Sequence, residues 1–180
     1  MLTIKLSESE YYDSSNECFV LIPETVLKLE HSLVSISKWE SKYNKPFLGS
    51  DTKTNEEIYY YIKCMITNFD DVDDILLNGL TPFDTESITS YIQAPMTATT
   101  VRQSNGKASR EVITSELIYY WMVSFTIPFE CERWHLNRLL MLINVCNAKN
   151  APATKEKPKE TLSRNAALNA ARKKSMQTSG

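Results

Sequence analysis

From Ile113 to Cys146, large apolar side chains recur at helical spacing, and a single proline cuts the run in two. Ile113, Leu117, Tyr120, Trp121 and Phe125 lead up to Ile127-Pro128. Trp134, Leu136, Leu139, Leu140, Leu142, Ile143 and Cys146 carry the pattern on. Proline has no amide hydrogen and clashes with the preceding turn, so it ends or bends a helix. The stretch therefore predicts an αα-hairpin or sharply bent pair over about 112–127 and 129–148. The second helix is apolar on most of its surface, as a central core helix would be.

The same period runs back through the chain. Leu33, Ile36, Trp39 and Tyr43 share one helical face, and the pattern stops before Pro46. Thr54-Asn55-Glu56-Glu57 reads as a capped start with acids in the first turn, followed by Ile58, Tyr61, Ile62, Met65 and Ile66. Asp70, Asp71, Asp73 and Asp74 open a short segment, Ile75 to Leu80. Thr81-Pro82 then caps a helix bearing Ile88, Tyr91 and Ile92. Residues 96–110 contain Asn105-Gly106, a strong turn signal, and read as a loop or a β-hairpin tip.

Only the N-terminus departs from this pattern. Residues 2–6 alternate apolar and polar, and 18–29 are apolar and β-branched around Pro23. A hairpin with Ser7 to Glu17 as its loop follows, with Pro23 tolerable at an edge or bulge. At the other end, residues 151–160 hold two prolines, five charges and no large apolar side chain, so they read as a linker. Residues 161–176 are alanine-rich and could be helical, but Leu162, Leu168 and Met176 alone are large and apolar. That segment is expected to be disordered or ordered by a partner. The expected architecture is mainly α: a β-hairpin over 1–30, a helical core over 31–150 and a basic arm over 151–180.

Charge divides along the same boundary. The arm carries seven Lys/Arg against two Asp/Glu, leaving thirteen against twenty in the body. A basic arm on an acidic body suits an acidic protein neighbour, or a second copy of that body. Arg164, Arg172, Lys173 and Lys174 could touch phosphates, but the acidic body would repel a duplex, which argues against nucleic acid. The start MLTIKLSESE has no basic, apolar leader, and no stretch approaches the roughly 18 apolar residues that span a bilayer. The four cysteines, Cys18, Cys64, Cys131 and Cys146, are scattered singly. A cytosolic chain with reduced thiols and no membrane partner is expected.

Reactive constellations are sparse. Cys131 and His135 sit four apart and would share a helical face, yet no second ligand pair supports zinc. The aspartates at 70–74 lack the glycine and closing glutamate of a calcium loop and read as a solvated helix start. No GxSxG or phosphate loop occurs, and the two histidines, His31 and His135, read as hydrogen-bonded structural residues. No catalytic residue, metal or cofactor is assigned. The aromatic triplets Tyr59-Tyr60-Tyr61 and Tyr119-Tyr120-Trp121 are more informative. Consecutive residues on a helix point about 100° apart, so one core-facing stripe cannot bury all three. Trp39, Tyr60, Tyr119, Trp121 and Trp134, with the arm's Arg164, Arg172, Lys173 and Lys174, are the candidate partner-binding residues. Trp39 and Trp134 read equally well as core.

Several segments resemble a family of tailed-bacteriophage proteins. They are Ser35 to Glu40 with Lys45 to Leu48, Pro95 to Thr100, Glu116 to Pro128, Phe129 to Cys131 with Trp134 to Leu140, and Arg164 to Arg172. The resemblance runs from about residue 31 and is to tail assembly chaperones and baseplate-hub assembly proteins. It implies a non-enzymatic helper that binds tape-measure, tube or baseplate-hub subunits in the host cytoplasm. The alternative is a resident virion component of the tail, baseplate or connector, ordered by its neighbours. No catalytic residue is carried over.

Overall fold

The computed structural model describes residues 1–13, 17–49, 51–69, 74–100, 112–150 and 158–176, with the backbone alone at 158–161, 164, 173 and 174. The loop around Asn105-Gly106, the linker at 151–157 and Asp70, Asp71 and Asp73 lie outside the described residues. The architecture is mainly α. Four short strands are followed by seven helices among the described residues, and the chain divides into two units, Met1–Ala148 and Lys149–Gly180.

The strands β1 (Leu2–Leu6), β2 (Ser9–Asp13), β3 (Cys18–Ile22) and β4 (Thr25–Leu29) form one long hairpin in two pieces. β1 pairs with β4, and β2 with β3, both antiparallel. Leu6 faces Thr25 and Ser9 faces Ile22, so the register is the same on both sides of the break and sets Glu8 opposite Pro23. The parity of the ladder explains the gap. Lys28 and Glu30 direct their N–H groups away from β1, towards Asn68 and Met65, so odd-numbered residues of this strand face the partner. Pro23 falls on an odd position and has no N–H to give. Ser9–Asp13 is thus a strand, where the sequence suggested a loop over Ser7 to Glu17. Most of its side chains are exposed, so no in-out alternation marks it.

The inner half of the hairpin seals the core. Ile4, Leu6, Leu27 and Leu29 are buried on one face while Thr3, Lys5, Val26 and Lys28 point out. Each such buried aliphatic contributes roughly 1.5–3 kcal/mol. The outer edge of β4 is occupied by the chain after the second helix. Thr67 N–H donates to Lys28 O at 2.8 Å, and the Asn68 side chain accepts from Lys28 N–H and donates to Val26 O, each at 2.9 Å. Farther out, Ile22 packs beside Gly79, where a Cβ would lie 3.3 Å from an Ile22 methyl.

Helices α1 (Leu33–Tyr43) and α2 (Asn55–Met65) pack on each other. Ser32 and Ser35 form a capping box on α1, and Thr54 and Glu57 form one on α2. After the short α3 (Asp74–Leu77), α4 (Pro82–Gln93) starts with the Thr81–Asp84 box and Pro82 in its first turn. Helix α5 (Ser115–Ser124) lies against α1 with Ser115, Ile118 and Met122 buried.

The expected second member of the pair is divided. Phe129–Arg133 is a 3-10 turn, and α6 runs over Leu136–Asn150. Trp134 and His135 are extended between them because Leu136 N–H is claimed by His31 O at 2.7 Å, which fixes where the helix can begin. Nor is α6 a central helix. Only Leu136, Leu139 and Ile143 are buried, while Leu140, Met141, Leu142, Val145 and Cys146 are half-buried. The second unit holds α7 (Pro158–Met176), so the alanine-rich segment is helical and begins earlier than the sequence suggested.

Candidate functional site

Both histidines of the chain meet inside the first unit. Their rings stand edge-on, 5.1 Å between centroids, and both residues are buried. His135 Nε2 lies 3.0 Å from Tyr91 O, a carbonyl that can only accept, while His135 Nδ1 accepts Asn137 N–H at 3.3 Å. These two partners require the neutral Nε2–H tautomer. His135 thereby caps α6, and the Asn137 side chain donates to Ile92 O and Ala94 O at the end of α4. His31 Nδ1 lies 2.5 Å from the Tyr61 hydroxyl. Burial above all pushes His31 down to about 4 from its ordinary 6.5, so it is neutral at pH 7.

The surrounding polar groups are committed to the fold. Tyr91 donates to Glu30 Oε1 at 2.5 Å, and Glu30 Oε2 pairs with the chain's N-terminal ammonium at 3.0 Å. Cys131 lies in the 3-10 turn and His135 beyond its end, so they do not share the helical face that their spacing suggested. Among the described residues, no three His, Cys, Asp or Glu side chains gather in a group that could hold a metal ion. Asp74, the described member of the aspartate run, binds Lys63 at 3.1 Å.

A small recess of about 20 Å³ lies beside Trp39, lined by Lys45, Pro46, Lys53 and Glu57 among others. Three of its charges are engaged: Lys45 pairs with Glu57 at 2.7 Å, and Lys53 donates to Phe47 O at 2.7 Å while lying over the Phe47 ring. The Lys45 ammonium, then the Thr54 amide, hold the Glu57 carboxyl below its usual range. Trp39 itself is fully buried and donates from Nε1 to Glu57 O at 2.8 Å. As a partner-facing residue Trp39 is excluded by burial; it holds α1 to α2.

The aromatic triplets separate as helix geometry requires. In α2, Tyr61 is core, Tyr60 is half-buried beneath Lys42 and edge-on to Tyr43, and Tyr59 is exposed. In α5, Tyr119 and Trp121 are half-buried and Tyr120 is 65% exposed. Tyr119 donates to Glu132 at 2.9 Å, and burial followed by that carboxylate raises its hydroxyl to about 12. Trp134 is half-buried under the Arg138 guanidinium, 4.1 Å from the ring.

The most exposed apolar groups on this side are not among the candidate partner-binding residues. Tyr120 and Val123, three residues apart, share the outer face of α5, and Phe129 in the 3-10 turn is also exposed, with its ring 6.4 Å from that of Tyr119. Among the arm candidates, Arg172 is exposed on α7. The side chains of Arg164, Lys173 and Lys174 lie outside the described residues. Every described side chain of α7 is exposed. No helix among the described residues is long and apolar enough to cross a membrane.

Compared with known proteins, the chain matches no family model, no curated protein and no solved structure.

Proposed function

We propose that this chain is a non-enzymatic tail-assembly protein of a tailed bacteriophage, binding tape-measure, tube or baseplate-hub polypeptides by direct contact. The observation that carries this reading is the outer face of α5 and the turn after it. Tyr120, Val123 and Phe129 are all more than half exposed. Exposed aromatics on a rigid helix are suited to anchoring another polypeptide, because they cover much apolar area at little cost in rotamer freedom. The helix is fixed from behind by Ile118 and Met122 and capped by Thr114. The resemblance of residues 31 onward to tail assembly proteins supplies the partner class.

Two measurements test the reading. Co-expression with tail subunits should yield a complex that Tyr120→Lys with Val123→Lys weakens. Mass spectrometry of purified particles should find the chain absent or scarce. Many copies per particle would replace the helper by the resident-component alternative, and an undiminished complex would remove α5 as the contact.

A further inference from the structure

Beyond the break at Pro23 the hairpin has two unlike faces. Successive residues of a strand point to opposite sides, and residues directly opposite each other share a side. Ile22 is buried beside Gly79, and Val20, on the same side, is half-buried. That side is turned to the body. The other carries Tyr12 opposite Phe19 and Glu10 opposite Leu21. It meets water: Tyr12 is 48%, Phe19 70% and Leu21 56% exposed. The Tyr12 and Phe19 rings already lie 5.0 Å apart, so a partner meets a formed platform.

Charge selects what this platform can take. Between Lys5 and Lys28 the chain has five Asp or Glu and no Lys or Arg. Glu8, Glu10, Glu17 and Glu24 among them are exposed. These carboxylates repel the phosphates of nucleic acid and of an anionic membrane, and they attract Lys and Arg. The face offers side chains and no backbone groups, which suits a segment whose own backbone hydrogen bonds are closed, as in a helix. We propose that this face of the β2–β3 ribbon docks a basic amphipathic helix of another protein. The helix sets its apolar stripe on Tyr12, Phe19 and Leu21 and its Lys or Arg beside Glu8 and Glu10. A two-stranded ribbon is marginal in water until a helix or further strand packs on it, and docking supplies the helix. The contact uses none of the α5 residues, so it is a second site and does not depend on the first.

The test uses a fluorescent peptide of Leu and Lys at helical spacing, titrated with the full chain and followed by anisotropy. A second peptide has Glu in place of every Lys. The Lys peptide is expected to bind and the Glu peptide to stay free. Phe19→Thr with Leu21→Thr keeps strand-forming side chains but removes the platform, and should weaken binding about tenfold or more. Glu8→Lys with Glu10→Lys leaves the platform and should exchange the preference, losing the Lys peptide and gaining the Glu peptide. Tyr120→Ala with Val123→Ala should leave the affinity unchanged, because a loss there would put the peptide on α5. Failure of the Lys peptide to bind would overturn the proposal. So would an affinity indifferent to either hairpin pair, or one lost with the α5 pair.

Discussion

Glu40 and Ser115, 75 residues apart, are joined by a hydrogen bond from the Ser115 amide to Glu40 Oε2 at 2.8 Å. The other carboxylate oxygen accepts Phe47 N–H at 2.7 Å, and Glu40 is only 7% exposed. One side chain from the last turn of α1 thus fixes the loop that follows it and the first turn of α5. Glu40→Gln keeps the shape but turns an amide donor towards one of those N–H groups. The expected loss is about 1–3 kcal/mol in urea unfolding, with Glu40→Ala at least as damaging.

Acid should unfold the protein through His31. Its folded value of about 4 lies below the unfolded 6.5, so the unfolded chain binds the proton more readily. The stabilisation is therefore complete above pH 6.5 and is lost as pH falls towards and through 4. The total is about 3 kcal/mol at 1.36 kcal/mol per pH unit. Urea midpoints measured across this window should fall for the wild type and be flatter for His31→Gln.

Trp39→Ala should cost about 3–5 kcal/mol, because it empties a fully buried site and removes the indole bond to the Glu57 carbonyl. Trp39→Phe keeps most of the volume and should cost less. Thermal melts followed by circular dichroism distinguish the two.

Surface changes on α5 should behave in the opposite way. Tyr120→Lys and Val123→Lys should each move stability by no more than about 0.5 kcal/mol, since both side chains are largely solvated. A large drop in the melting temperature would mean that these residues serve the fold and not a partner.

Ending the chain after Asn150 should leave the body intact, because Met1–Ala148 is a compact unit in its own right. The expected result is an unchanged melting temperature, read by calorimetry on the shortened and full chains.

Where residues close in sequence decide the structure, the sequence was easily read. The Thr54–Glu57 and Thr81–Asp84 caps, Pro82 in the first turn of α4 and the split of the tyrosine triplets all follow from spacing and hydrogen-bonding capacity. Strand β2 was missed because most of its side chains meet water, so it reads as a polar loop. The start of α6 was misplaced because it is set by a carbonyl more than a hundred residues upstream. The same distance hid the meeting of His31 with His135. For the surface, the triplets announced that some rings must emerge, but which ones depended on where α1 lies. Trp39 turned inward, while Tyr120, Val123 and Phe129 were left outside.

The tether between His31 O and Leu136 N–H has a mechanical consequence. Helix α6 leads directly into the arm, so tension reaching Asn150 is conducted down the rod to its root. That root is fastened to the junction of β4 and α1, next to the histidine pair. Pulling on Asn150 would thus load Ile143 and Leu139 first and this mooring last.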